Sequence, residues 1–151
     1  MHHPSPAEPD PQEQARLFRE GVARFNAGEW FEAHEVWEAL WHTLDDGERK
    51  QFVQGLIQCA VALEHARRGN PRGALTMFDR ARPRFEGLPQ RYMGVDIAAL
   101  LASLAKLLAP LRDLPADALR PRAGRGLELP INLCDAPTIE LQNAPVFGES
   151  R

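Results

Sequence analysis

Cysteine is scarce in this chain. Only Cys59 and Cys134 occur in 151 residues, far apart and without metal-binding spacing. They read as reduced thiols, so the expectation is a cytoplasmic protein with no disulfide framework. An excess of one charge is also missing. The chain has 18 Lys and Arg against 21 Asp and Glu, a net charge of −3, so no basic footprint points to nucleic acid or to an anionic membrane. No apolar run reaches the ~20 residues of a membrane span. The most apolar stretch, Ile97–Leu111, is short and broken by Lys106 and Pro110. Prolines and acids stand at the N-terminus where a secretory signal would be basic and then apolar. No Ser/His/Asp arrangement, phosphate-binding Gly-rich loop or nucleotide fingerprint is present. What remains, 44% hydrophobic and 26% charged residues over one domain's length, fits a globular protein with a single core.

One stretch departs from that background. Gly28–His42 holds three tryptophans, one phenylalanine, two histidines and four glutamates. On a helical wheel Glu38, His42, Phe31, Trp30, Trp37 and Trp41 all fall within about 80° of His34. Ionisable groups and the largest apolar side chains therefore share a face. Burying such groups is costly unless they are paired, hydrogen-bonded or metal-bound, which makes this helix the expected seat of function.

The rest of the chain reads as helices around it. Residues 1–10 are Pro-rich and polar, a flexible N-terminal arm. A helix starts at Pro11, with Leu17, Phe18, Gly21, Val22 and Phe25 as its apolar stripe and Gly28 as its stop. The second helix runs from about Glu29 to Thr43 and the third from Asp46 to about Arg68. The third is apolar nearly all round, the mark of a central helix. Only Gln54, Gln58 and His65 form a polar stripe on it, and a polar stripe on a buried helix needs partners. Asn70-Pro71 caps and opens a fourth helix, which Pro83 should shorten or kink. After a loop through Tyr92, Asp96 caps a fifth helix with Ile97, Leu100, Leu104 and Leu108 in its core. Residues 11–43 and 47–87 echo each other weakly as helical hairpins. The expectation is one all-α bundle of about five helices over residues 11–111. Residues 112–151 form an extended, Pro-rich C-terminal arm, with room for a short strand at Leu127–Leu133, and are a candidate homo-oligomer contact.

Phe25-Asn-Ala-Gly-Glu-Trp-Phe-Glu-Ala-His-Glu-Val-Trp-Glu-Ala-Leu-Trp41, then Phe52-Val-Gln-Gly-Leu-Ile-Gln58, then His65 to Asn70 and Gly73-Ala74, resemble the domain of unknown function family 309. The resemblance covers roughly residues 14–108 and implies a small all-α bundle. Members have been labelled metal-dependent hydrolases, without an established activity. Its signature polar positions correspond to His34, Glu35, Glu38, Gln54, Gln58 and His65. The tail after Arg112 lies outside it.

Two readings of those residues are open. In the first, His34 and Glu38, one turn apart, join His65 as ligands of a divalent metal (zinc, iron or manganese). Gln54 and Gln58 then orient them, and Glu35 acts as base on a metal-bound water. The spacing is HExxE, however, not the HExxH of zinc proteases, and no Glu-x-x-His pair of the di-iron bundles occurs. In the second, the same side chains form a buried His/Glu/Gln network between the second and third helices, and the protein is a non-catalytic scaffold or interaction module. The three tryptophans and Cys59 read as core, His42 as a helix-end residue, and Arg67, Arg68 and Arg72 as a solvated corner.

Overall fold

Side-chain caps mark three of the five helix starts among the described residues. In the computed structural model, which describes residues 9–119, 129–142 and 147, helix α1 spans Pro11–Asn26 with the Asp10 carboxylate accepting from Gln12 N–H. α2 spans Trp30–Trp41 and α3 spans Glu48–Arg67. α4 spans Pro71–Ala81, its N-terminus capped by Asn70. α5 spans Ile97–Arg112, capped by Asp96. The expected α3 start at Asp46 is corrected: Gly47, at φ +143°, precedes the helix, and Asp46 instead sits 3.7 Å from Lys50. α4 stops short of Pro83 and tightens into a 3₁₀ turn, Arg82–Phe85, because proline cannot continue the hydrogen-bond ladder.

The protein is an all-α bundle of five helices with one small antiparallel hairpin. That hairpin pairs strand β1 (Arg91–Tyr92) with strand β2 (Val95–Asp96), where a plain loop was expected. Its turn residues Met93 and Gly94 both have positive φ, 53° and 79°, as the tight turns favoured in hairpins require.

α3 is the axis of the bundle, with α2 and α4 packed beside it and α1 against α2. Phe52, Val53, Leu56, Cys59, Ala60, Ala62 and Leu63 on α3 are fully buried. No helix among the described residues is long and apolar enough to cross a membrane. Two glycines let the neighbours come close. A Cβ on Gly21 would stand 2.0 Å from the Trp37 indole, and one on Gly55 2.5 Å from the Phe85 ring. Trp37 thereby reaches the α1 backbone and donates its Nε1–H to the Phe18 carbonyl at 3.2 Å. Gln14, buried at the start of α1, donates to Thr43 Oγ1 at 3.0 Å and ties that start to the end of α2.

The described part of the C-terminal arm lies on this chain's own bundle. The Asn26 amide donates to the Ile139 carbonyl at 2.8 Å and accepts from Ile139 N–H at 2.7 Å. Gln142 N–H reaches the Gly94 carbonyl at 3.0 Å. Ile139 and Phe147 are buried, Phe147 between the Phe18 ring at 6.1 Å and the Arg49 guanidinium at 5.2 Å. Leu129–Leu133 forms no strand; a 3₁₀ turn occupies Leu133–Asp135. Residues 1–8 of the N-terminal arm and the Leu127 end of the suggested strand lie outside the described residues.

Candidate functional site

The rotation of α2 about its axis decides what the polar residues can do. Its buried face is Trp30, Ala33, Trp37 and Leu40, a helical 3-4-3 spacing. His34 and Glu38 each follow one of these positions and so fall on the flank that faces α3. His34 is half-buried, its side chain 23% exposed, and Glu38 is 52% exposed. Glu35 is exposed, and Gln54, Gln58 and His65 are half-buried. The expected buried cluster is therefore corrected to the wall of an open groove. Trp30 and Trp37 hold core positions, Trp41 is only partly buried, and charged groups unmatched in a core would be costly.

The groove runs between α2 and α3 as two joined hollows that share His34 and Val61. One, of about 180 Å³, lies at the start of α2 and is lined by Trp30, Phe31, His34, Val61, Glu64, His65 and Arg68. The other, of about 420 Å³, is lined by His34, Glu38, Trp41, His42, Gln54, Ile57, Gln58, Val61 and Met77. Of the predicted site residues, Glu35 is the one absent from both. Four buried side-chain polar atoms lack a partner among the described residues, and three of them, Trp30 Nε1, Trp41 Nε1 and Gln58 Oε1, belong to groove residues. Two other hollows, of about 370 and 520 Å³, lie between α5 and the C-terminal arm and are lined by no histidine.

His34, Glu38, Glu64, His65 and Arg68 in the groove are each engaged by a neighbour. His34 Nδ1 faces the Phe31 carbonyl at 3.2 Å, and His34 Nε2 faces Glu38 Oε2 at 3.5 Å. His65 Nδ1 lies 3.0 Å from Asn70 Nδ2. The Asn70 amide is oriented by its cap, since Oδ1 accepts from Gly73 N–H at 2.9 Å. Nδ2 must then be the donor, so His65 Nδ1 is an acceptor and the neutral ring carries its proton on Nε2. Burial, and then the Arg68 charge, hold the His65 pKa below 6.5. Among the described residues no three His, Cys, Asp or Glu side chains converge as a metal site requires.

Helical periodicity alone does not single out Glu64. It is one of two buried polar residues among those described, 7% exposed. Its carboxylate bonds Arg67 Nε at 3.0 Å, Arg67 Nη2, and Arg68 Nε at 2.5 Å. Burial pushes its pKa up, but the hydrogen bonds and charges of Arg67 and Arg68 outweigh that and hold it below 4.5. Glu64-x-x-Arg67-Arg68, at i, i+3 and i, i+4, was the available signal. Arg68 also lies over the Phe31 ring at 5.5 Å, linking α3 to α2. Cys59 is enclosed, and burial pushes its thiol up to about 12, which leaves it inert at neutral pH.

A family described as "Domain of unknown function (DUF309)" matches residues 18–77. A conserved hypothetical protein of Thermus thermophilus, solved by crystallography, is 36% identical with a TM-score of 0.54; the match covers 60% of this chain and 94% of that one. This chain belongs to the DUF309 family. The DUF309 match takes in every residue of the groove, from Trp30 to Met77, and none of the C-terminal arm. An uncharacterized protein of Aquifex aeolicus (strain VF5) is 28% identical over 95 residues, 63% of this chain and 28% of that protein. The uncharacterized protein YpuF of Bacillus subtilis (strain 168) is 46% identical over 46 residues, 30% of this chain and 26% of that protein. The DUF309 chain thus spans about a quarter of the length of these curated relatives.

Proposed function

We propose that this DUF309 chain is a non-catalytic recognition module whose α2/α3 groove binds a ligand. The observation that carries the reading is the engagement pattern. His34, His65 and Glu64 are each satisfied by a neighbour instead of pointing at a common centre. The surface between them is an apolar-floored groove with unpartnered donors and acceptors among its residues. Open apolar hollows with a few polar groups are the usual form of a binding site.

A second reading keeps the metal-dependent, hydrolase-like site. It is favoured by the His34 Nε2–Glu38 Oε2 approach of 3.5 Å on the groove wall. His65 would be the third ligand, with Gln54 and Gln58 behind and the exposed Glu35 as base. It requires the His65 ring to turn, because a ligating histidine normally donates its other N–H to an acceptor, and here that nitrogen faces a donor. Elemental analysis of protein prepared without chelator, followed by titration with zinc, iron(II) and manganese, separates the two. The recognition reading expects less than about a tenth of an equivalent of metal and no tight saturable uptake. Stoichiometric metal that is lost in His34→Ala would transfer the site to the second reading. Self-association through the C-terminal arm is tested by sedimentation velocity, where a concentration-independent monomer would remove it.

A further inference from the structure

We propose that the hollow at the start of α2 binds a small organic carboxylate carried on a planar apolar body. This inference rests on the reading of the groove as a recognition site and names the ligand class for it. The apolar part comes from Trp30 and Val61 with the rings of Phe31 and His34, whose centroids lie 5.5 Å apart. Phe31 is the one large apolar side chain left exposed among the described residues, at 40%, and it stands at this hollow. The volume, about 180 Å³, suits one ring, since an apolar cavity of about 150 Å³ holds benzene.

The polar part is dominated by donors. His65 presents Nε2–H, because its Nδ1 accepts from Asn70. Arg68 uses Nε on Glu64, and its terminal N–H groups have no hydrogen-bond partner among the described residues. Both oxygens of Glu64 are taken by Arg67 and Arg68, so the group of three is net positive despite the carboxylate. Trp30 and Phe31 are also the first residues of α2, whose N-terminus has no side-chain cap and carries the positive end of the helix dipole. A cation would meet the Arg68 charge here. Inorganic phosphate would match the charge but leave the Trp30–Val61 wall unused, whereas an arene carboxylate uses both.

The test is titration of the full-length ¹⁵N-labelled protein with benzoate, benzamide and inorganic phosphate, each to about 10 mM, the range in which millimolar binders saturate. Benzoate is expected to shift the Trp30 indole N–H and the Phe31, His65 and Arg68 amides saturably. It should bind about tenfold tighter than benzamide, the difference being a charge-assisted hydrogen bond. Phosphate should leave the Trp30 resonance in place. Arg68→Gln should bring benzoate down to the benzamide affinity while benzamide itself binds as before, which also reports that the variant is folded. Arg72→Gln, at an exposed residue outside the hollow, should change neither. Equal affinity for benzoate and benzamide overturns the carboxylate assignment and leaves the groove reading intact. Shifts confined to Arg67 and Arg72 overturn it as non-specific ion association. No saturable shift from either arene overturns the assignment together with the recognition reading beneath it.

Discussion

Gly21 has only a hydrogen where any other residue would meet the Trp37 ring. A Cβ there would lie 2.0 Å from Trp37 Nε1, so either the indole or α1 must move. Gly21→Ala is expected to destabilise the fold by about 1–3 kcal/mol, the usual range for overpacking a well-filled core, read from urea unfolding. Two neighbours in α3 make acid the weak side of the protein. Glu64 has a folded pKa below 4.5, so its ion pairs add stability at neutral pH that is lost as pH falls through 4.5 to the folded value. His65 also has a folded pKa below its usual 6.5. On acidification the unfolded chain therefore takes up that proton first, and stability begins to fall from about pH 6.5 downward. The urea midpoint should drop between neutral pH and about pH 5, and His65→Gln should flatten that part of the profile. An unchanged slope in the variant would assign the acid sensitivity to other groups.

At the scale of elements, Asn70 serves two helices with one amide. Oδ1 caps α4 through Gly73, and Nδ2 holds the His65 ring at the end of α3. Asn70→Ala should cost about 1–2 kcal/mol, a typical loss for a helix N-cap. It should also broaden the His65 ring signals, which a substitution at the exposed Asp10 cap of α1 should not. Starts of this kind are legible in part: Asn70 and Asp96 cap where expected and Pro83 shortens α4, whereas the Asp10 cap of α1 falls in a stretch read as a flexible arm. A side chain that bonds the next turn leaves a local signature, and so does a missing N–H. The β1–β2 hairpin was not legible because its turn depends on Met93 at φ 53°, a conformation its side chain disfavours. The depth of the candidate site was half legible. The wheel groups His34, Glu38 and the tryptophans on one side of α2, and of these His34, Glu38, Trp30 and Trp41 line the groove while Trp37 packs on α1. It could not tell centre from edge, since that rotation is set by the gap at Gly21 into which Trp37 fits.

At the scale of the whole molecule, the bundle carries its own C-terminal strap. Ile139 and Phe147 fill positions in the same core as Phe18 and Phe25. Ile139→Ala should cost about 2–5 kcal/mol if the strap contributes to global stability, as buried Ile→Ala substitutions do. Hydrogen exchange divides the effect: loss confined to residues 129–142 marks a separately opening unit, and loss throughout α1 and α3 marks one cooperative fold. The helical class and the order of the elements were readable from the spacing of apolar residues, because that spacing is repeated many times along each helix. Where the arm rests was not, because it depends on single contacts made more than a hundred residues apart, such as Asn26 with Ile139.

The Asn26 amide stands in for one peptide unit of a β-strand, giving one hydrogen bond and taking one from the Ile139 backbone. Such a mimic is chemically perishable. Hydrolysis of the side-chain amide to a carboxylate would keep the bond from Ile139 N–H but set a negative oxygen against the Ile139 carbonyl. One fastening would become a repulsion with no change in the size of the side chain. Asn26→Asp reproduces that aged state. It should speed proteolysis within residues 129–142 while the helical circular dichroism stays the same, and equal cleavage rates would mean that the strap is held by Ile139 and Phe147 alone. Through this one residue, the age of a molecule could be read in how firmly its tail is tied down.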